Sequence, residues 1–171
     1  MFRKTLPKAD VVATADAFAK TGELLLAQRP AGFEWPHPFV VNTALSIELY
    51  LKSFLAEDDL VTCYTSDDGV IVYMGFTKCL SHEHKLELLY EKIPAKIKIL
   101  LEAEFCAGEL ASSYSSLEEA LTKFSNAFVE ARYPYEERHS KGHCITDLVN
   151  ISKFLKQAIL RIGEVSYARL P

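Results

Sequence analysis

The stretch from Pro38 to Leu55, Pro-Phe-Val-Val-Asn-Thr-Ala-Leu-Ser-Ile-Glu-Leu-Tyr-Leu-Lys-Ser-Phe-Leu, restricts the fold more than any other part of the chain. Proline suits the first position of a helix, where its missing N–H removes no bond. At about 100° per residue, Val40, Ile47, Leu51 and Phe54 form one apolar stripe, and Val41, Ala44, Leu45 and Leu55 form another. Asn42, Ser46 and Ser53 share the narrow remainder. A helix apolar on two sides must be covered on two sides, so a central helix is expected here. Glu48 and Lys52 stand one turn apart within the second stripe. One reading is an i,i+4 ion pair at the edge of a packed face, worth about 0.2–0.5 kcal/mol. The other is a partly buried carboxylate that needs a cation from another helix, because unpaired buried charge is costly.

The remaining elements fall around this helix. Asp10 to Gln28 reads as a first helix with Val11, Ala15, Phe18, Ala19 and Leu25 or Leu26 on one face, weakened by about 1 kcal/mol at Gly22. Arg29-Pro30-Ala31-Gly32 breaks it, and Phe33 to His37 forms an aromatic connection in which Trp35 and His37 either line a site or, the preferred reading, plug the gap between helix ends. Val61 to Thr65 and Val70 to Met74 are rich in β-branched and aromatic residues. Ser66-Asp67-Asp68-Gly69 between them is a turn sequence, so a β-hairpin over about residues 61–76 is expected, inserted between helices. Ser81 is placed to cap a helix with Leu86, Leu89 and Ile93 inward. Pro94 stops that helix or starts the next, Ala95 to Phe105, with Ile97, Leu100 and Leu101 inward. A loop from Gly108 to Ser115 leads to the capping box Ser116-Leu117-Glu118-Glu119. One apolar face then runs through Leu117, Ala120, Leu121, Phe124, Phe128 and Ala131 to the stop at Pro134. After a polar loop from Glu136 to Gly142, Thr146 caps a last helix carrying Leu148, Ile151, Leu155, Ile159 and Ile162. The expectation is one domain over residues 1–171, all-α apart from the hairpin.

Composition narrows the function classes. With 171 residues, 49% hydrophobic and 25% charged, the chain can bury a substantial core. A formal charge of -4 provides no global basic field for nucleic acid or anionic lipid, although a local basic site is compatible with it. No signal peptide and no apolar run of spanning length is visible, which predicts a cytoplasmic protein with no membrane partner. Cys63, Cys79, Cys106 and Cys144 form no Cys-x-x-Cys pair and are expected as free, buried small hydrophobes. There is no Walker loop, dinucleotide fingerprint, nucleophile elbow or His-Glu-x-x-His, and no cofactor is implied. Cys79, His82 and His84, together with His139, His143 and Cys144, would offer soft and imidazole ligands if the two groups met. Neither spacing is a standard zinc motif, and capping or loop histidines are the preferred reading, with no metal.

Three segments carry a family resemblance. Leu45-Ser46-Ile47-Glu48-Leu49-Tyr50-Leu51-Lys52, His84-Lys85-Leu86-Glu87-Leu88-Leu89-Tyr90 and Ala131-Arg132-Tyr133-Pro134-Tyr135-Glu136-Glu137-Arg138-His139 occur in an order that resembles the HEPN superfamily (higher eukaryotes and prokaryotes nucleotide-binding domain). The likeness runs from the first helix to about Arg161, with the hairpin as an insertion. It implies an all-α, HEPN-like bundle of four to five helices that forms a homodimer. Nuclease members of that family cleave RNA without metal, using an Arg and a His assisted by a polar residue on the second helix. Arg132, His139 and Glu48 would be the catalytic set here. Arginine holds a phosphate, and histidine moves the proton of the attacking 2′-hydroxyl. Two features depart from the nuclease pattern: Tyr133 follows Arg132, and Pro134 breaks the helix between Arg132 and His139. The Arg-Tyr-Pro form resembles members that serve as binding or interaction modules, and there Arg132 would pair with Glu48 to tie two helices together. The expected function is therefore a non-catalytic module for a nucleotide, RNA or a partner protein, such as a nucleotidyltransferase antitoxin. Lys52, Tyr133, Tyr135 and Arg138 are its candidate binding residues. The alternative is a metal-independent ribonuclease, a toxin or defence component.

Overall fold

The computed structural model describes residues 6–28, 35–133 and 144–168, with Tyr73 and residues 164–168 described by their backbone alone. The helices are α1 (Ala9–Gln28), α2 (Pro36–Ser53), α3 (Leu86–Lys92), α4 (Ala95–Cys106), α5 (Leu117–Lys123), α6 (Ala127–Arg132) and α7 (Ile145–Ala168). Strands β1 (Ala56–Thr65) and β2 (Ile71–Cys79) pair antiparallel in a two-stranded sheet. With seven α-helices and strands of 10 and 9 residues among the described residues, the chain is mixed α/β. The expected all-α bundle of four to five helices is corrected accordingly.

Helix α2 is the centre of the fold. It packs against α1, α3, α6 and α7. Val40, Ile47, Leu51 and Phe54 are all buried, as the first stripe predicts. The polar remainder is not a solvent strip, however. Ser46 and Ser53 are fully buried, and their hydroxyls are satisfied locally. Ser46 Oγ donates to the Thr43 carbonyl at 2.7 Å and lies 2.9 Å from Ser152 Oγ on α7, while Ser53 Oγ donates to the Tyr50 carbonyl at 2.6 Å. Buried hydroxyls paired in this way let α2 be covered on every side. Tyr50 is likewise fully buried, with its hydroxyl donated to Asp16 Oδ1 at 2.6 Å. Burial, followed by that carboxylate, pushes its ionisation well above the ordinary range.

Gly22 has a role beyond weakening α1. A Cβ there would stand 2.6 Å from Thr43 Oγ1, so the glycine is what lets α1 lie close on α2. Trp35 packs edge-on against Phe39 at the start of α2, as expected of a plug. Leu148, Ile151, Leu155, Ile159 and Ile162 of α7 complete the core.

Several boundaries move from their sequence expectations. The hairpin runs from Ala56 to Cys79, longer than residues 61–76, with a bulge between Thr62 and Tyr64. Its turn is closed by the Ser66 N–H donating to the Val70 carbonyl, and Gly69 takes φ +81°, which favours glycine. Helix α3 starts at Leu86 because Glu83 Oε1 accepts from the backbone N–H of His84 and Lys85, which holds the chain extended after Ser81. The helix expected from Ser116 is two, α5 and α6, with tight turns at Phe124 and Ser125 that keep the apolar side chains in phase. Ser116 does cap α5, accepting from the Glu119 N–H at 3.1 Å, while Glu119 reaches back to the Ser115 N–H at 2.8 Å. A 3₁₀ turn over Glu109–Ser112 occupies the expected loop and buries Leu110. Helix α7 begins at Ile145, so Thr146 lies inside it rather than capping it. Leu100 is 41% exposed instead of inward. The cysteines are free but not buried: Cys63, Cys106 and Cys144 are exposed, because they sit on the ribbon bulge and at helix ends.

Candidate functional site

Glu48 faces the interior from the middle of α2 and is 2% exposed. One turn later, Lys52 donates to Glu48 Oε1 at 2.7 Å. His84, on the extended segment between β2 and α3, brings Nδ1 to 3.0 Å from the same oxygen. The other oxygen, Oε2, is buried with no hydrogen-bond partner among the described residues. Both readings of Glu48 are thus partly realised: the i,i+4 pair forms, and it is buried. The second contact comes from a connecting segment rather than from another helix.

Arg132 is not that contact. Among the described residues it makes no ion pair with Glu48. Its guanidinium lies over two aromatic rings, 5.8 Å from the centroid of Phe128 and 5.3 Å from that of Tyr133. Arg132 is exposed at the C-terminal end of α6, whereas Glu48 already has a cation one turn away on its own helix. The His84 ring stacks on Phe128 with centroids 6.4 Å apart and an interplanar angle of 25°. His84 and Arg132 therefore meet at one ring.

The site is a buried carboxylate under an exposed rim. The Lys52 side chain is only 12% exposed and committed to Glu48, so this candidate binding residue acts as a positioning group. The His84 side chain is 59% exposed, and Arg132 is open to solvent. Tyr133, half-buried, lies beneath the guanidinium. His139, Tyr135 and Arg138 lie outside the described residues, as does His143. Among the described residues no group of three His, Cys, Asp or Glu side chains is arranged to hold a metal ion. Cys79 donates to the Ser81 carbonyl, and His84 turns to Glu48.

Sequence reasoning missed two parts of this site. His84 carried a signal, since it opens the His-x-Leu motif, but its attachment to Glu48 did not. Phe128 looked like another member of an apolar face, yet it is the ring shared by His84 and Arg132. Lys52 lies four positions before the ribbon and His84 five positions after it, so the whole hairpin is inserted between the two groups that hold Glu48.

Chemically, a buried carboxylate with one oxygen engaged by Lys52 and His84 and the other enclosed is poorly placed to accept a substrate proton. The rim, by contrast, combines a permanent cation, an imidazole and an aromatic face. That set fits an exposed anion such as a phosphate, with the rings positioning the two side chains. Compared with protein-family models, curated proteins and solved structures, the chain matches none.

Proposed function

We propose that this chain is a non-catalytic binding module of the HEPN type, taking the phosphate of a nucleotide or RNA end at the rim of His84, Phe128 and Arg132. The observation that carries the reading is the meeting of His84 and Arg132 at the Phe128 ring above a Glu48 carboxylate neutralised by Lys52. Arg132 offers two parallel donors to phosphate oxygens, and His84, whose Nδ1 is held by Glu48, would present Nε2 as a further donor in its protonated form. The Phe128 ring, already covered by His84 and Arg132, holds these two side chains at one place on the rim. Glu48 sets the orientation of His84 and does not itself touch the ligand. The family resemblance also implies a homodimer, and Ile99 and Leu100, exposed on α4, are apolar side chains such a contact would cover.

Titration calorimetry with AMP, ATP and a short 5′-phosphorylated RNA tests this reading. Saturable binding is expected. Arg132→Ala should weaken it about ten- to a hundredfold, the loss of a charge-assisted contact worth roughly 1.5–3 kcal/mol. The melting temperature should stay nearly constant, because Arg132 is exposed and pairs with no buried charge among the described residues. Equal affinity in wild type and Arg132→Ala would refute the site. RNA cleavage in the presence of chelator, lost in both Arg132→Ala and His139→Ala, would replace this function with the ribonuclease alternative.

A further inference from the structure

Strands β1 and β2 form a ribbon that is exposed along most of its length. A two-stranded ribbon is marginal in water, where three strands or a covering element are the usual minimum. Register puts Val61 opposite Met74 and Asp59 opposite Phe76. The bulge at Cys63 then brings Tyr64 opposite Val72 on the same face. Val61, Tyr64, Val72, Met74 and Phe76 are each between 48% and 59% exposed. The opposite face is tied at its base to the start of α1, through Lys8 to Asp58 at 2.6 Å and through Thr77 to Asp10. The apolar face has no such cover among the described residues.

The two edges of the ribbon differ. β1 carries Glu57, Asp58 and Asp59 and a bulge, devices that prevent an edge strand from pairing further. From Val70 to Thr77, the β2 side has no charge, no proline and no bulge. Its outward N–H and C=O groups are open to another strand.

Charge selects what that strand is. From Ala56 to Cys79 there are five carboxylates, Glu57, Asp58, Asp59, Asp67 and Asp68, against one cation, Lys78. The ribbon's balance of -4 equals the formal charge of the whole chain, so the rest of the protein is neutral in sum. A second copy would bring like charge against like charge, and a nucleic acid or anionic lipid surface would be repelled. We propose that the β2 edge and its apolar face receive an extended segment of a partner protein, alternating apolar and basic residues, as a third strand. Main-chain hydrogen bonds would supply affinity, and the apolar side chains of the segment would pack beside Val72, Met74 and Phe76. Glu57 and Asp59 stand on the apolar face and Asp58 is held by Lys8, so the segment's basic residues, on the opposite face, would be drawn by the negative balance of the ribbon as a whole rather than by a facing carboxylate. This proposal is independent of ligand binding at the Glu48 rim.

Fluorescence anisotropy with a labelled synthetic peptide alternating Val and Lys over the length of β2 tests it, with the matching Val and Glu peptide as control. The Lys peptide should bind saturably, at least tenfold more tightly than the Glu peptide, and added salt should narrow that ratio. Phe76→Lys, made at a half-exposed position so that the fold should survive, should weaken the Lys peptide at least tenfold and leave the melting temperature unchanged. Equal binding of the two peptides, or no effect of Phe76→Lys, overturns the proposal. Sedimentation showing a dimer that Phe76→Lys converts to monomer also overturns it, because the occupant would then be a second copy.

Discussion

Replacing Lys52 by Met isolates the role of the buried carboxylate. Glu48 is 2% exposed and cannot regain water without moving α2, which is packed against four other helices. Removing one partner of a buried ion pair costs about 3–5 kcal/mol, mostly because the other charge is left uncompensated. Here His84 still reaches Oε1 at 3.0 Å, so the low end applies, about 3 kcal/mol. For a domain of this size that is a fall in melting temperature of about 6–12 °C. Glu48→Leu combined with Lys52→Met removes the orphan charge along with its partner. It should therefore cost much less than the two single changes added, since apolar replacement of a buried pair is often nearly neutral. Thermal and urea unfolding followed by circular dichroism would measure all three variants. A Lys52→Met protein melting within about 2 °C of wild type, or a strictly additive double mutant, would show that Lys52 does not hold Glu48 in the folded protein.

Gly22→Ala should destabilise by about 1–3 kcal/mol despite the better helix propensity of alanine, because the new methyl meets Thr43 Oγ1. Adding Thr43→Ala should recover much of that loss, and chemical denaturation showing no recovery would place the strain elsewhere. The Tyr114 hydroxyl, donated at 2.5 Å, and then Lys123 at 3.1 Å hold the Asp147 carboxyl below its ordinary 3.8, against the opposing effect of burial. A lowered carboxyl contributes stability that is present above about pH 3.8 and lost as pH falls through the lower folded value. Acid unfolding should thus be steeper in wild type than in Asp147→Asn below that pH, and identical slopes would refute the linkage.

What could be read from the chain was what repeats along it. The two apolar stripes identified α2, and the steps from Leu148 to Ile162 identified the buried face of α7. The same periodicity hid the break between α5 and α6, because Phe124, Ala127 and Ala131 stay on the buried side across the turn. Glu57, Asp58 and Asp59 concealed the first part of β1, since acidic residues suit loops better than strands. Within the site, the Glu48–Lys52 pair was visible from its i,i+4 spacing. The His84 contact spans 36 positions and has no local pattern that could announce it. Arg132 showed the converse error. Its charge suggested a buried acidic partner, but aromatic rings took up the guanidinium instead.

Only the turn at Phe54 and Leu55 separates the ribbon from the helix that carries Glu48. The Lys52 carbonyl accepts the Leu55 N–H at 2.9 Å, the Leu55 carbonyl accepts the Leu80 N–H at 2.9 Å, and the Ser53 carbonyl accepts the Lys8 N–H at 3.0 Å. These three bonds clamp the root of a lever roughly 30 Å long, at about 3.3 Å per residue. The fulcrum is one carboxylate oxygen, gripped from the β1 side by Lys52 and from the β2 side by His84. Lys52 shares α2 with Glu48, so movement of β2 at the root strains only the His84 grip. The oxygen that aims His84 at the rim thus sits on the helix in which the ribbon is rooted.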